Sequence, residues 1–226
     1  MNPILVAHGT RKPHGVTMIG DLANRVGEAL GVPVRTAFVD VLGPTPADVL
    51  RDVPGPAVLV PAFLAGGYHV RTDIPEHVAA SGHPDVTLTD ALGPSPQLVR
   101  VMTDRLIESG WQTSDSVIMA AAGTLDPQAL RDLRVTAALL SAAIGGRVEM
   151  AYAATGEPRV ADAVADLRAR GARRVVVASY LLADGLFQDR LRNSGADVVT
   201  EPLGTHPGVV RLIASRFRRA RLPVAA

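Results

Sequence analysis

Cysteine does not occur once in the 226 residues. Its absence excludes disulfides, thiolate metal sites, iron-sulfur clusters and cysteine nucleophiles, so any metal must be held by histidine, carboxylate or a substrate. Aromatic residues are scarce, 4% against 47% apolar residues in all, and the core is therefore aliphatic. Net charge is nearly absent: 23 basic and 22 acidic residues leave +1, which gives no overall pull toward nucleic acid or a membrane surface. The local cluster Arg216, Arg218, Arg219 and Arg221 reads as the solvated end of a last helix, where cations complement the helix dipole. No apolar run approaches the about 18 residues of a membrane helix, and Met1-Asn2-Pro3 leads directly into a strand without the features of a signal peptide. The expectation is a soluble cytoplasmic protein with neither nucleic-acid nor membrane partners. By length it is one large domain or two of roughly 110 residues each.

What is present is a regular alternation of strand and helix. Ile4 to Ala7 is a short apolar run of the kind that forms a buried parallel strand, and it ends abruptly in His8-Gly9-Thr10-Arg11. Met18, Ile19, Leu22, Val26, Ala29 and Leu30 then recur on one helical face, closed by Gly31. Strands are expected at Val34 to Val39, Val58 to Leu64 and Val86 to Thr89, with a short helix through Leu50, a helix starting near Asp73-Ile74-Pro75, and another from Leu98 to Ile107. The polar stretch Gln112 to Ser116 is a natural linker. Beyond it the order repeats: strand from Val117, helix 127–144, strand from Val148, a helix carrying Val160, Val164 and Leu167, strand from Val175, a loop, strand from Asp197, and a helix with Val209, Val210, Ile213 and Phe217. This pattern predicts an α/β chain of two tandem halves, 1–112 and 113–226, each a four-stranded parallel sheet flanked by helices.

The repeat is visible in letters. Ala91 to Arg100 matches Pro202 to Arg211, and Ala7-His8-Gly9-Thr10 matches Ala121-Ala122-Gly123-Thr124. His8 falls on Ala122, and His69 falls on Leu186 or Phe187 according to where one gap is placed. The second copy keeps the frame and loses both imidazoles, so chemistry is expected in the first half.

Open α/β sheets bind ligands at the C-terminal ends of their strands. His8 and His69 each stand just past such an end, each followed by an arginine, Arg11 or Arg71. Two imidazoles suit a borderline divalent metal such as Fe, Co, Ni or Zn, or acid-base work near neutral pH. Two rings alone hold a metal weakly, as befits one that is handed on. Arg11 and Arg71 can meet ligand carboxylates, and Gly66-Gly67 lets a flat ligand approach the backbone. Asp73 and Glu76 follow His69 by four and seven residues, so a carboxylate can serve as third ligand or orient a ring; Asp73 as a helix N-cap is the equal alternative. Thr10 reads as a turn residue, and His14, His77, His83 and His206 as surface or turn histidines, His14 being the best placed.

His8-Gly9-Thr10-Arg11 after a buried strand, together with Pro61 to Pro75 (PAFLAGGYHVRTDIP), resembles the CbiX/SirB family of class II tetrapyrrole chelatases in its long, two-repeat form. The resemblance covers the whole chain, and the second motif is its specific part. It implies a flavodoxin-like chelatase fold in two halves with a cleft between them, and ATP-independent insertion of Co²⁺ or Fe²⁺ into sirohydrochlorin on the cobalamin or sirohaem route. The metal is then a substrate, and no cofactor is permanently bound. The family's metal-facing histidines match His8 and His69, which are the catalytic pair; Arg11, Arg71, Gly66 and Gly67 stand where the macrocycle would be met. Thr72 departs from the pattern, since relatives often carry a charged residue there. One active site per chain is implied, and two fused halves suggest a monomer.

Two other readings stand beside this one. A tetrapyrrole or metal carrier would use the same residues without turnover. Phosphoryl transfer through a nucleophilic histidine would need an arginine just before His8-Gly9, where Ala7 stands.

Overall fold

The computed structural model describes residues 1–9 and 13–220. The chain forms two compact units. The first contains a parallel sheet of β1 (Asn2–Ala7), β2 (Arg35–Phe38), β3 (Ala57–Pro61) and β4 (Val86–Leu88), in the order β2-β1-β3-β4. Around it lie α1 (Pro13–Leu30), α2 (Pro46–Arg51) and α3 (Ile74–Ser81), the last preceded by a π-helical turn over His69–Asp73. The second contains β5 (Ser116–Gly123), β6 (Val148–Thr155), β7 (Val175–Tyr180) and β8 (Val198–Val199), in the order β6-β5-β7-β8. Its helices include α5 (Pro127–Ile144), α6 (Val160–Ala169) and α7 (Leu186–Arg192).

The same local chemistry builds both sheets. Ile4, Leu5 and Val6 in β1 and Ile118, Met119 and Ala120 in β5 are fully buried, as central parallel strands covered on both faces must be. Each of these strands is followed or closed by a glycine in the left-handed region, Gly9 two residues past β1 at φ 96° and Gly123 at the end of β5 at φ 100°. A side chain at either would strike a neighbouring carbonyl oxygen, that of Asp40 or of Thr155. Glycine is therefore required at both turns.

Two further helices, α4 (Pro96–Glu108) and α8 (Pro207–Ala220), do not stay with the repeat that encodes them. The sequence divides the chain at 112/113, but contacts group Met1–Leu92 with α8 and Gly93–His206 with α4. Helix α8 packs on α1 and β3, and α4 packs on α5 and β7. Arg216 donates to the Ala91 carbonyl (3.2 Å) and Arg218 to the Ala29 carbonyl (2.5 Å), fastening α8 to the first unit. Helix α4 buries the expected stripe Leu98, Val101, Met102 and Leu106, and α8 buries Val209, Ile213 and Phe217 of its expected stripe, with Leu212 in place of the half-buried Val210. Helical periodicity fixes which face is buried, but not the sheet that receives it.

The loop expected between β7 and β8 contains α7. Only Gln188 and Leu191 of its seven residues are buried, so no apolar period marks it. Polar bonds hold it instead: Gln188 accepts from the Ser179 hydroxyl (2.7 Å) and donates to the Thr200 carbonyl (2.8 Å).

Candidate active site

In the first sheet β1 lies between β2 and β3, so their C-terminal ends are neighbours. His8 leaves the end of β1 exposed to solvent; among the described residues its Nδ1 meets the adjacent Gly9 carbonyl, at 3.3 Å. His69 arrives from β3 by way of the segment 62–68. There the Gly67 carbonyl accepts from the amides of Val70 (3.1 Å) and Arg71 (3.2 Å), and this starts the π-helical turn. The ring centroids of His8 and His69 are 4.6 Å apart, at an interplanar angle of 85°. Phe63 lies beside both, 6.4 Å from His8 and 5.9 Å from His69. Tyr68, 59% exposed, sets its ring 6.2 Å from that of His69.

The two histidines are held differently. His69 Nδ1 lies 2.5 Å from Asp73 Oδ2, a half-buried contact across the π-helical turn. A carboxylate only accepts, so Nδ1 donates in this contact and Nε2 is the ring nitrogen that lies outside it. Asp73 makes no capping bond to α3; of its three expected roles, third ligand, ring orienter and helix N-cap, its contact with His69 fits the second. His8 has no such partner among the described residues and is the freer ring.

Of the other expected site residues, Arg71 is exposed on the π-helical turn two residues past His69, and Gly66 and Gly67 are half-buried in the segment leading to it. Thr10 and Arg11 lie outside the described residues, as does Arg221. Glu76 is exposed on α3. His83 is structural, bonded to the Val53 carbonyl and the Asp85 amide, and His206 faces Asp104 at 3.6 Å in the second unit. His14 is exposed in the first turn of α1. Among the described residues no three histidine or carboxylate side chains converge as a ready metal site, and the site is built around the two rings.

Asp40 was not singled out in the sequence. It stands just beyond β2, where its amide donates to the His8 carbonyl (3.0 Å) and its carboxylate accepts from the Val41 amide (2.7 Å). Val41 has φ 68°, a left-handed conformation that costs a β-branched residue on the order of 1–3 kcal/mol. The proximity of Asp40 to His8 follows from strand order, which the linear sequence does not display.

The second sheet has the same frame with different side chains. Ile4 pairs with Leu59 as Ile118 pairs with Val177. The amide of Leu92 bonds the Phe63 carbonyl as that of Leu203 bonds Leu181. Carried past Phe63 and Leu181 without a gap, this register sets His69 against Phe187; counted from the residue that precedes each following helical element, Tyr68 and Gly185, it sets His69 against Leu186, so both expected counterparts stand.

A family model, CbiX, matches residues 2–109 and 116–220. The chain belongs to the CbiX family. The sirohydrochlorin cobaltochelatase of Methanothermobacter thermautotrophicus is 25% identical to this CbiX chain over 126 residues, which are 46% of the chain and 88% of that relative. SirB from Bacillus subtilis with Fe³⁺ superposes with a TM-score of 0.84 at 19% identity, covering 97% of this chain and 96% of that one. SirB from Bacillus subtilis subspecies spizizenii in complex with cobalt gives a TM-score of 0.78 at 20% identity, covering 97% and 95%. These two likenesses establish the shared two-sheet fold. No helix among the described residues is long and apolar enough to cross a membrane.

Proposed function

We propose that this CbiX-family protein inserts a divalent metal, Co²⁺ or Fe²⁺, into sirohydrochlorin without ATP. The observation that carries this reading is the His8–His69 pair, 4.6 Å apart at neighbouring strand ends, in a chain whose curated relative is a sirohydrochlorin cobaltochelatase. The metal is a substrate. Nε2 of His69, aimed by Asp73, and the ring of His8 supply two neutral nitrogen donors of the kind that suit Co²⁺ and Fe²⁺. Two ligands hold such an ion loosely enough for transfer to four macrocycle nitrogens. Four metal–nitrogen bonds form, two of them at nitrogens whose N–H bonds break, and the two protons must leave the site.

His8 is the better placed proton acceptor. Its ring is exposed and bonds no carboxylate among the described residues, so once it releases the metal its nitrogen is available. His69 remains clamped and keeps the ion in position. Arg71, and Arg11 by sequence position, are assigned to the carboxylates at the macrocycle rim, where a planar guanidinium matches a carboxylate in two bonds. Gly66 and Gly67 leave the backbone accessible to a flat ligand. The protein is assigned no resident cofactor, and as a chain with both sheets it works as a cytoplasmic monomer.

The deciding experiment is anaerobic: the absorbance of sirohydrochlorin is followed after addition of Co²⁺ or Fe²⁺ with catalytic amounts of protein, and the uncatalysed rate is subtracted. Metal-dependent acceleration is expected, and it should disappear in His8→Ala and His69→Ala while the circular dichroism spectrum stays unchanged. Binding of the macrocycle without acceleration would make the protein a carrier. Wild-type rates in both variants would remove the mechanism.

A further inference from the structure

The N-terminal end of the second sheet carries a charge pattern that the first sheet lacks. The left-handed glycines after α1 and α5, Gly31 and Gly145, and the strand partners Arg35 and Glu149 are spaced alike, so Arg147 stands in the place of Pro33. The caps that follow α2 and α6 are Asp52 and Arg170. The Asn2 amide bonds the Pro56 carbonyl (2.8 Å) as the Ser116 amide bonds that of Arg174 (3.0 Å), which sets Gly55-Pro56 against Arg173-Arg174. Pro33, Asp52, Gly55 and Pro56 in the first copy are thus all arginines in the second. Helix C-termini attract cations, which accounts for Arg170; Arg147 and Arg173 lie beyond the helices, beside the starts of β6 and β7.

Two of these arginines are spent within the fold. Arg170 donates to Glu149 at 2.9 and 3.0 Å and pairs with Asp166 at 2.8 Å, while Arg174 donates to Asp115 (2.6 Å) and to the Gly110 carbonyl (3.0 Å). The other two are not. Arg147 is 81% exposed and lies 3.5 Å from the Glu149 carboxylate that Arg170 already holds, and Arg173 is exposed and meets no carboxylate among the described residues. Both line a cleft of about 780 Å³, together with Trp111 and the buried side chains of Val117, Ile144 and Leu167. Trp111 is the chain's one tryptophan, and its enclosed indole N–H finds no acceptor among the described residues. A buried donor is costly to leave unpaired. All of these residues belong to the second unit, at the end of its sheet away from Ala122.

We infer that this cleft is a further ligand site, which binds a planar organic anion about the size of a mononucleotide, its ring against Trp111 and the apolar lining and its phosphate or carboxylate on Arg147 and Arg173. Pockets of roughly 300–1,000 Å³ that combine apolar lining with a few placed charges are those that small molecules occupy, and an exposed guanidinium matches an oxyanion in paired bonds. An aromatic wall suits a flat ring. A bare inorganic anion leaves the apolar lining unused, and a neutral ring leaves the arginines unused. A metal ion finds only carboxylates that arginines already hold. The site stands apart from the chelatase reading, since none of its residues is assigned to the metal or the macrocycle.

The test uses the full chain and the fluorescent planar anion anilinonaphthalenesulfonate, with energy transfer from Trp111 locating the probe. Transfer should saturate. Arg147→Gln/Arg173→Gln should weaken the probe about tenfold and leave the neutral analogue phenylnaphthylamine within about twofold of wild type. Circular dichroism and Tm should not change, because both side chains are exposed. A control at the opposite end of the same sheet, Arg159→Gln/Arg190→Gln, should keep wild-type affinity. Displacement by adenosine monophosphate identifies a phosphate ligand, and displacement by salicylate a carboxylate; inorganic phosphate at the same concentration should displace neither probe nor competitor. The proposal is overturned by absent transfer from Trp111, by probe affinity within about twofold of wild type in Arg147→Gln/Arg173→Gln, by a loss confined to the control variant, by displacement with neither competitor, or by inorganic phosphate competing as well as either. Sirohydrochlorin insertion should run at the wild-type rate in Arg147→Gln/Arg173→Gln, so failure of the site leaves the chelatase reading standing.

Discussion

Replacing Asp73 isolates the contact that distinguishes the two histidines. Asp73→Asn keeps an acceptor near His69 Nδ1 and removes the charge; Asp73→Ala removes both. A hydrogen bond to a charged group contributes about 1.5–3 kcal/mol, and the lower end applies here because the side chains of His69 and Asp73 are 34% and 23% exposed. About 1.5 kcal/mol corresponds to about a tenfold loss of metal affinity, within the roughly 10–100-fold range for carboxylates that orient metal-binding histidines. The assay is an anaerobic Co²⁺ titration followed in the visible spectrum, paired with insertion rates at saturating Co²⁺. Asp73→Asn should weaken Co²⁺ binding about tenfold and Asp73→Ala further, while affinity for metal-free sirohydrochlorin is unchanged. If both variants bind Co²⁺ within about twofold of wild type, Asp73 does not position the ring and His69 needs no support beyond packing.

Phe217 lies near the C-terminus yet is fully buried in the unit that contains His8 and His69. Phe217→Ala should cost about 3–5 kcal/mol and lower Tm by roughly 10 °C, and hydrogen exchange should show the lost protection in β1, β3 and α1; loss confined to β5 and β7 would refute the exchange of α4 and α8. Gly9→Ala should disorder the His8 turn and abolish insertion, because the methyl group meets the Asp40 carbonyl at a left-handed φ. Gly145→Ala, at φ 65° with open space around it, should cost only about 1 kcal/mol, measurable by urea denaturation. The hydrogen bond from Arg170 holds the Glu149 carboxyl below its ordinary value of 4.5. A depressed carboxylate stabilises the fold above its unfolded-state value and loses that contribution as pH falls through the folded one. Wild type should thus exceed Glu149→Gln in stability at neutral pH by under about 1 kcal/mol, the pair being partly exposed, and the difference should start to shrink as pH falls past 4.5 and be lost once the folded-state carboxyl is protonated; a gap unchanged across the whole acid titration would exclude the ion pair as its source.

The sequence by itself determined the elements, the repeat and the residues of interest. Runs such as Ile4 to Ala7 have one stable use, as central parallel strands, and periodic helices such as α1 and α5 bury the faces their spacing displays. His8 and His69 were legible because each closes an apolar run, and ligands meet a parallel sheet at such ends. Helix α7 escaped because a polar residue, Gln188, anchors it, and Asp40 escaped because its closeness to His8 depends on β2 being the neighbour of β1. The ring-orienting contact of Asp73, one of the three roles its spacing allowed, became visible only in the π-helical turn. Tertiary structure alone decided which sheet α4 and α8 cover. Local spacing encodes what a segment must bury; what it buries against is set by contacts between residues far apart in the chain, such as Arg216 with Ala91, and these leave no periodic trace in the sequence.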